Sequence, residues 1–441
     1  MKILLSTALI LAISSAVSAS VITLPVRSQR NPENLNAESL TKRYLQKRAA
    51  SSTKVPLTNI QNDVIYTVPL GLGTPAQEFN LIIDTGSPIT WVSAKSCVIG
   101  GCLRTNKFDC ASSSTCRAST TPFNVSYVSG QGVRGNYVAD IYKIGSLQFQ
   151  GIAGVVTTNQ ARLPGSVDGI MGLWYYASGS DIPILNVLKN TTALTENMIG
   201  VWLQKSSGSS RATSPGGEIT FGGVNPARYT GEITYVDCVA MRPWSIPVNG
   251  MTVNGKDIPT NGAIAAIDTG TTAMLMPKTT ADAINSAIPG AISLPQEGGL
   301  WVLPCSGDAP ITITFGNFKA EIPYTSLAMQ STRQRTSQGY YCTSAAMFPT
   351  GETATIDEWL IGDAFLTNVY SVFDFNTNAA TGGRIGFAKL SGSSSNGDGN
   401  NGGGGGSGGN NAGNAAAGRS IKGVQTSSII LILASIFFSM L

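Results

Sequence analysis

The stretch Ile82-Ile83-Asp84-Thr85-Gly86-Ser87 recurs in the second half of the chain as Ala266-Ile267-Asp268-Thr269-Gly270-Thr271. In each copy an apolar run ends in an aspartate that precedes Thr-Gly and a hydroxyl residue. Because glycine permits a tight turn close to other backbone, each aspartate is predicted to stand on a sharp loop at a strand end. Two such loops can bring two carboxylates face to face, where charge repulsion makes them share one proton. The repeat therefore predicts an acid–base pair, Asp84 and Asp268.

The residues around both copies repeat as well. An apolar stretch that we interpret as a strand leads into each aspartate, at Phe79 to Ile83 and at Ala263 to Ile267. Each copy is followed downstream by an apolar stretch that glycine interrupts, at Val167 to Leu173 and at Trp359 to Phe365. An isolated Asp-Thr-Gly could be an ordinary turn. The duplication of the whole arrangement favours the catalytic interpretation instead.

Composition indicates a mostly β protein. At 441 residues the chain exceeds what one core normally encloses, and we expect two lobes with appended segments. Fifty glycines, 21 prolines and only 12% charged residues are typical of many short strands joined by turns. One helix is predicted at Lys278 to Ile288, between Pro277 and Pro289-Gly290, with Ala281 and Ile284 on its apolar face.

The chain contains no histidine. This excludes Ser-His-Asp and Cys-His catalysis and removes the commonest zinc ligand. We therefore expect neither a metal site nor a cofactor.

From Ile65 to Leu390 the chain resembles the pepsin-like family of aspartic proteases. Four further segments carry the resemblance: the opening hairpin, the flap, the link between lobes and the closing strands. They are Gly71 to Gln77, Val125 to Gly130, Gly216 to Gly223, and Val369 to Asp374 with Gly386 to Ala388. The resemblance implies a bilobal fold with a cleft between two related β lobes, at 49–225 and 226–391.

By the same resemblance Asp84 and Asp268 are the catalytic pair. Gly86 and Gly270 support the pair, and Ser87 and Thr271 hydrogen-bond the outer carboxylate oxygens. The substrate is implied to be an extended polypeptide, which an ionised aspartate attacks through an activated water molecule.

The resemblance also assigns a flap that covers the substrate. Tyr127 takes the position of the flap tyrosine, followed by Val128, Ser129 and Gly130, and Trp91 hydrogen-bonds that tyrosine. Val128 stands where the family usually has glycine, and its β-branched side chain restricts the backbone. Pro88 stands where a small polar residue is common. Both departures are expected to affect substrate preference and to leave the acid–base pair intact.

The N-terminal segments indicate secretion and processing. Lys2, an apolar run and the small-residue site Val17-Ser18-Ala19 predict a signal peptide at 1–19. Residues 20–48 are interpreted as a basic pro-segment of a zymogen that ends in Lys47-Arg48, although a merely solvated charge cluster is the alternative. Residues 1–48 hold seven basic and two acidic residues, so their removal changes the formal charge from +4 to −1. No nucleic-acid partner is implied.

Seven cysteines in a secreted chain indicate disulfides with one thiol left over. The family resemblance implies a Cys305–Cys342 bridge. The short disulfide loop of the family also favours Cys97–Cys102, which leaves Cys110–Cys116. A nested pairing of these four cysteines around Phe108 stays open. Cys238 is interpreted as a small buried apolar residue.

Two sequons, at Asn124 and Asn190, predict glycosylation. The first lies three residues before Tyr127, so a glycan there would stand near the entrance of the cleft.

The C-terminal segments predict a lipid anchor. Residues 392–418 form a Gly/Ser/Asn-rich linker, and 419–441 end in the apolar run Ile429 to Leu441. We interpret the end as a GPI-attachment signal with Asn414 as the attachment residue and Gly413 and Ala415 as competitors. A short tail anchor is the alternative, although thirteen apolar residues are few for a spanning helix.

Together these features predict a secreted aspartic endopeptidase of the GPI-anchored fungal, yapsin-like type. It is expected to be a monomer, to act on polypeptide substrates, and to contact the membrane through a lipid anchor at the outer cell surface or cell wall. A catalytically inactive binding protein on the same fold is the first alternative. A structural cell-surface protein that displays a glycosylated domain is the second.

Overall fold

The computed structural model describes residues 52–127, 131–161, 163–175, 182–191, 193–207, 213–239, 244–295, 298–337, 339–349, 358–376 and 383–392. The predicted signal peptide, pro-segment, linker and GPI tail lie outside these residues, as do Asn414 and the flap residues Val128, Ser129 and Gly130. The described residues all belong to one compact unit of the chain, Leu35–Leu441.

The strands of the first half follow from alternating burial. In β1, Val55 and Leu57 are buried while Lys54 and Pro56 between them are exposed, which is the two-residue period of a half-buried strand. The strands are β1 Thr53–Ile60, β2 Ile65–Leu72, β3 Gln77–Asp84, β4 Trp91–Ala94, β5 Lys107–Phe108, β6 Arg117–Ser126, β7 Gly132–Ile144, β8 Leu147–Asn159, β9 Gly169–Gly172, β10 Met198–Leu203 and β11 Thr213–Phe221.

The second half is also built mainly from short strands. They are β12 Tyr229–Asp237, β13 Ser245–Pro247, β14 Gly250–Val253, β15 Lys256–Asp257, β16 Ile264–Ile267, β17 Met274–Leu275, β18 Ile292–Leu294, β19 Leu300–Pro304, β20 Ile311–Phe315, β21 Phe318–Ile322, β22 Ala328–Thr336, β23 Gly339–Ser344, β24 Ala346–Met347, β25 Trp359–Ile361, β26 Val369–Asp374 and β27 Arg384–Leu390.

The described helices are short. They are α1 Ile184–Asn190, α2 Lys278–Ser286, α3 Tyr324–Leu327 and α4 Asp363–Leu366, with 3-10 turns at Gly100–Arg104, Cys110–Ser112 and Pro226–Arg228. Helix α2 is the predicted helix, and it ends two residues earlier than expected. Its apolar face is buried as predicted, since Ala281 and Ile284 are both fully buried. None of the helices in the described ranges is long and apolar enough to cross a membrane.

One large sheet joins both halves of the chain. Its strand order is β12-β27-β26-β10-β11-β1-β2-β3-β9-β4-β8-β7-β6, with β5 beside β4. Three smaller sheets belong to the second half, in the orders β13-β16-β25-β17-β24, β15-β14-β20-β21 and β18-β19-β23-β22. The mostly β, bilobal fold expected from the sequence is confirmed.

The predicted repeat appears as the same local arrangement in both lobes. Strand β3 runs parallel to β9, with Asp84 opposite Gly172, and β16 runs parallel to β25, with Ile267 opposite Ile361. Glycine ends each downstream stretch because other backbone passes close by. A Cβ atom on Gly172 would lie 2.6 Å from the Ser87 carbonyl oxygen, and one on Gly362 would lie 1.9 Å from that of Thr271.

Three disulfides join the cysteine pairs that the resemblance favoured: Cys97–Cys102, Cys110–Cys116 and Cys305–Cys342. The nested alternative for the first four cysteines is absent from the described structure. Cys238 is a free, buried thiol whose pKa burial raises to about 12. It therefore stays protonated and packs as a small apolar residue.

Candidate active site

The two aspartates face each other at the point where the lobes meet. Asp84 ends β3, Asp268 follows β16, and both side chains are completely buried. The amide of Gly86 lies 2.9 Å from Oδ1 of Asp84 and 3.1 Å from Oδ1 of Asp268, so one N–H group serves both carboxylates. Oxygen Oδ1 is therefore the inner oxygen on each side of the pair.

The glycines of the two loops make this approach possible. The Gly270 amide donates to Oδ1 of Asp268 at 2.8 Å, as Gly86 does to Asp84. A Cβ atom on Gly86 would lie 2.8 Å from the Asp268 carboxylate, and one on Gly270 would lie 2.5 Å from that of Asp84. A side chain at either position would push the two carboxylates apart.

The hydroxyl residues hold the outer oxygens, as the resemblance implied. Ser87 Oγ donates to Oδ2 of Asp84 at 2.5 Å, and Thr271 Oγ1 donates to Oδ2 of Asp268 at 2.6 Å. Each carboxylate is thus fixed at both oxygens, and its plane cannot rotate without losing a hydrogen bond.

Two threonines lock the loops together, a role that the sequence reasoning did not assign. Thr85 Oγ1 donates to the carbonyl oxygen of Ile267 at 2.8 Å, and Thr269 Oγ1 donates to that of Ile83 at 2.9 Å. Each hydroxyl also accepts the backbone N–H of the other threonine, at 3.0 and 3.1 Å. The presence of threonine after aspartate in both copies was the signal that could have revealed this reciprocal contact.

Burial dominates the electrostatics of the pair. It raises the pKa of Asp84 well above the ordinary value, and the charge of Asp268 raises it further. The hydrogen bonds from Ser87 and Gly86 oppose these effects by stabilising the carboxylate. The pair therefore retains a proton at a pH where free aspartates would be ionised, as an acid–base pair requires.

A third buried carboxyl group, absent from the sequence-based predictions, lies near the pair. Asp363 begins α4, and its backbone N–H donates to the Thr271 carbonyl at 2.8 Å. The side chain is 2% exposed, and its Oδ1 atom has no hydrogen-bond partner. Burial raises the pKa of Asp363 well above its ordinary value, and the charges of Asp268, Asp63 and Asp84 add to the effect.

A polar network connects this region to the N-terminal strands. Asp63 Oδ1 accepts hydrogen bonds from the Asn59 side chain, the Tyr66 hydroxyl and the Ser206 backbone, at 2.6, 3.2 and 2.6 Å. Lys205 Nζ donates to Asn368 Oδ1 at 2.6 Å and to the Ser326 hydroxyl. Burial lowers the pKa of Lys205 to about 8.

The predicted flap contact is present. Trp91 Nε1 donates to the Tyr127 hydroxyl at 2.6 Å, and both side chains are buried. Burial raises the pKa of Tyr127 well above its ordinary value, with a further contribution from the charge of Asp84. The charge of Asp84 thus acts on the buried phenol.

Both predicted glycosylation residues are exposed. Asn124 lies on β6, where its Oδ1 accepts from Arg134 Nε at 3.3 Å, and Asn190 ends α1.

The comparisons with known proteins agree with this geometry. Residues 65–390 match the family described as eukaryotic aspartyl protease. The chain is 32% identical over 371 residues to the major aspartyl peptidase 1 of Cryptococcus neoformans var. grubii, a match that covers 80% of this chain and 74% of that protein. It is 30% identical over 354 residues to pepsin A of Rhinolophus ferrumequinum, covering 76% and 85%.

A third relative is the probable aspartic-type endopeptidase CTSD of Arthroderma benhamiae, 29% identical over 371 residues, with 83% of this chain and 68% of that protein covered. The fold and two facing aspartates define an aspartic-type peptide hydrolase, and this chain belongs to the eukaryotic aspartyl protease family.

Proposed function

We propose that this protein is an endopeptidase that hydrolyses extended polypeptides with a water molecule held between Asp84 and Asp268. The observation that carries the proposal is the Gly86 amide, which lies within 3.1 Å of the inner oxygens of both carboxylates. Oxygens held this close to a common donor can bind one water molecule between them and share one proton.

In the first step the ionised carboxylate takes a proton from this water, and the water oxygen attacks the scissile carbonyl carbon. The protonated carboxyl donates its proton to the carbonyl oxygen, which gives a neutral tetrahedral diol. In the second step a hydroxyl proton returns to one carboxylate, the other carboxyl protonates the nitrogen, and the C–N bond breaks. No protein atom becomes bonded to the substrate, so no acyl-enzyme forms.

Tyr127 is proposed to cover the substrate from above the pair. Its hydroxyl accepts the Trp91 hydrogen bond, and its backbone N–H donates to the Gln131 carbonyl at 2.9 Å. These two contacts orient the ring at the base of the flap. The side chain can therefore pack on the substrate without a large loss of conformational entropy.

The test replaces each aspartate separately. Asp84→Asn and Asp268→Asn should each reduce hydrolysis of denatured casein at least about 1000-fold, because the two carboxyl groups act as one unit. The assay runs across roughly pH 3 to 7, with and without a pepstatin-type inhibitor. Asp168→Asn is a matched control, since Asp168 is buried but hydrogen-bonds Asn80 and Asn106 rather than the pair.

Near-parental turnover in either aspartate variant would show that the pair is not the catalytic site. The alternative of an inactive binding protein predicts no hydrolysis by the parent itself. The presence of both aspartates and of Tyr127 supports the enzyme over that alternative.

The proposed processing and cellular location of the protein rest on the sequence. We infer that residues 1–19 are removed as a signal peptide, that 20–48 are removed as a pro-segment, and that the lobes at 49–225 and 226–391 are tethered by 392–418. Residues 419–441 are then replaced by a glycolipid at Asn414, which places a glycosylated, GPI-anchored, yapsin-like enzyme at the cell surface.

Anchoring is tested by deleting residues 428–441, which should divert active enzyme from the cell surface into the medium. Phospholipase C should release the undeleted enzyme from cells. Mass spectrometry that detects Ile429 to Leu441 in the mature surface protein would rule out the GPI interpretation.

A further inference from the structure

A single tryptophan hydrogen-bonds the backbone on both sides of the aspartate pair. Trp244 directly precedes β13, and its side chain is buried. Its indole Nε1 donates to the Leu173 carbonyl in the first lobe at 3.0 Å, and its own carbonyl oxygen accepts the Ile267 N–H in the second lobe at 2.9 Å. Leu173 in turn donates its N–H to the Asp84 carbonyl at 2.7 Å, and Ile267 directly precedes Asp268. One residue thus connects the backbone segments that hold the two aspartates.

The indole ring of Trp244 is fixed by its neighbours. Its centroid lies 5.2 Å from that of Phe373, on the large sheet, in an edge-to-face arrangement at 84°. It lies 6.4 Å from the centroid of Tyr175, in the first lobe. A Cβ atom on Gly383 would lie 3.2 Å from Cζ3 of the indole, so backbone also passes close to the ring. Because close packing on several sides restricts the ring, the direction of its N–H group is fixed as well.

The backbone of Trp244 adopts an unfavourable conformation. Its φ angle is 62°, in the left-handed region that bulky L-residues rarely occupy. The other non-glycine residues with positive φ in the described ranges are all polar: Gln61, Asn62, Asp63, Asn254 and Asn261. A strained residue of this kind persists only where its surroundings determine its position, and such residues cluster at functional sites. The strain therefore indicates that the contacts of the indole, rather than turn chemistry, require tryptophan here.

We propose that Trp244 is a positioning residue of the acid–base pair, and that its indole N–H holds Leu173, and through it Asp84, at a fixed distance from Asp268. The proposal rests on the proposed peptidase function. The threonine contacts join the two loops themselves, whereas the indole hydrogen bond joins the segments beside them. Without the indole donor, the buried Leu173 carbonyl loses a hydrogen bond, and its strand can move away from the second lobe.

The distance between the two carboxyl groups sets the pH range in which the pair can act. When the groups are close, the protonated one stabilises the first charge by a hydrogen bond, and the first charge opposes the second. A larger distance weakens both effects, so the lower apparent pKa of the pair rises and the upper one falls. Asp363 and Tyr127 also interact with the pair, and Asp63 acts on Asp363. All three residues are retained in the variants described next, so a narrower pH range would report the distance.

The test removes the indole N–H in two ways. Trp244→Phe retains an aromatic ring but is smaller, and Trp244→benzothienylalanine, made by site-specific incorporation, keeps the bicyclic shape and has sulfur in place of the N–H. On a peptide that the parent cleaves, both variants should lower kcat about tenfold with little change in KM, because the carboxyl groups are displaced and the cleft is not. In both, the acidic and the alkaline limbs of the kcat/KM profile should approach each other by about 0.5 pH unit each.

Trp301→Phe is the matched control. It also removes an indole N–H that donates a hydrogen bond, in this case to Oδ1 of Asp282 on helix α2 at 2.8 Å. Trp301 makes no contact that joins the two segments beside the aspartates, so this variant should keep the kcat and the pH profile of the parent. The free energies of unfolding of all three variants, measured in urea, show how much stability each hydrogen bond contributes independently of activity.

A parental pH profile in both Trp244 variants would overturn the proposal, even if both were less stable, because the indole would then act only in packing. An altered profile in Trp244→Phe alone would overturn it as well, since the shape of the ring and not its N–H would be responsible. If Trp244→Phe does not fold, the benzothienylalanine variant decides by the same measurements. Failure of the parent to hydrolyse any peptide would instead contradict the proposed function.

Discussion

Reciprocal hydrogen bonds of Thr85 and Thr269 join the two loops that carry the aspartates. The resemblance to the pepsin-like family assigned Ser87 and Thr271 to the outer oxygens, and each of them follows its aspartate by three positions. Thr85 and Thr269 could not be assigned so directly, since their partners, the carbonyls of Ile267 and Ile83, lie in the opposite loop. A contact across 182 or 186 residues of chain depends on the docking of the two lobes, and the threonine repeated after each aspartate was its trace in the sequence.

We expect Thr85→Val to destabilise the protein by about 3 kcal/mol, because it leaves the Ile267 carbonyl and the Thr269 N–H buried without partners. Valine and threonine have nearly the same volume, so the lost stability comes from the lost hydrogen bonds and not from packing. The same variant should lower kcat more than it raises KM, since a displaced loop changes the geometry of the aspartate pair. Urea unfolding and steady-state kinetics measure the two effects.

Thr85→Ser is the matched control, because it retains the hydroxyl and removes only a methyl group. It should stay within about 1 kcal/mol of the parent. If the valine and serine variants were equally unstable, packing of the methyl group rather than the reciprocal hydrogen bonds would hold the loops together.

Among the elements, those with a strong local pattern were predicted well. The expected strand Phe79 to Ile83 lies within β3, and the expected helix at Lys278 coincides with α2. The stretch Val167 to Leu173 contains only the short strand β9, which begins at Gly169 after a turn at residues 165–166. Sheet order was beyond sequence reasoning, since parallel strands such as β3 and β9 pair across a long connection.

Disulfides offer a prediction at this scale. The Cys305–Cys342 bridge spans 37 residues and Cys97–Cys102 spans 5. In the chain-entropy description a longer loop restricts the unfolded chain more, so replacing the first pair by alanine should cost about 4 kcal/mol and the second about 2 kcal/mol. The free energies of unfolding of the two double-alanine variants, measured in urea, give the comparison.

Each single-alanine variant serves as a control for the loss of side-chain volume, provided the remaining thiol is blocked. A larger loss for the Cys97–Cys102 pair would mean that this bridge acts mainly in the folded state, by holding residues 97–102 in place.

At the scale of the whole molecule, stability and the proposed catalysis depend on the same buried carboxyl groups. Asp84, Asp268 and Asp363 are all buried where the lobes meet, and burial raises the pKa of Asp84 and Asp363. A raised pKa means that the folded protein keeps a proton that the unfolded chain has released. Stability therefore falls as pH rises from the ordinary aspartate value, about 4, towards the raised value in the folded state. The contribution of Asp84 and Asp363 to stability is therefore largest at the low pH at which these two groups are protonated.

Asp363→Asn should make the fall in stability with rising pH shallower. Between the pKa values of Asp363 in the unfolded and the folded protein, the proton that only the folded protein keeps lowers the free energy of unfolding by about 1.4 kcal/mol per pH unit. Asparagine has no such proton, so this contribution is absent from the variant. The activity of the variant should also decline at a lower pH than that of the parent, because the pair loses a neighbouring negative charge that helps it to retain its proton. Unfolding in urea and kcat/KM, both measured from roughly pH 4 to 7, give the two profiles.

Asp109→Asn is the control. Hydrogen bonding to Lys95 lowers the pKa of Asp109, so the pH range in which its titration changes stability lies below about pH 4. An Asp363→Asn stability profile parallel to that of the parent across this range would show that Asp363 is already ionised in the folded protein.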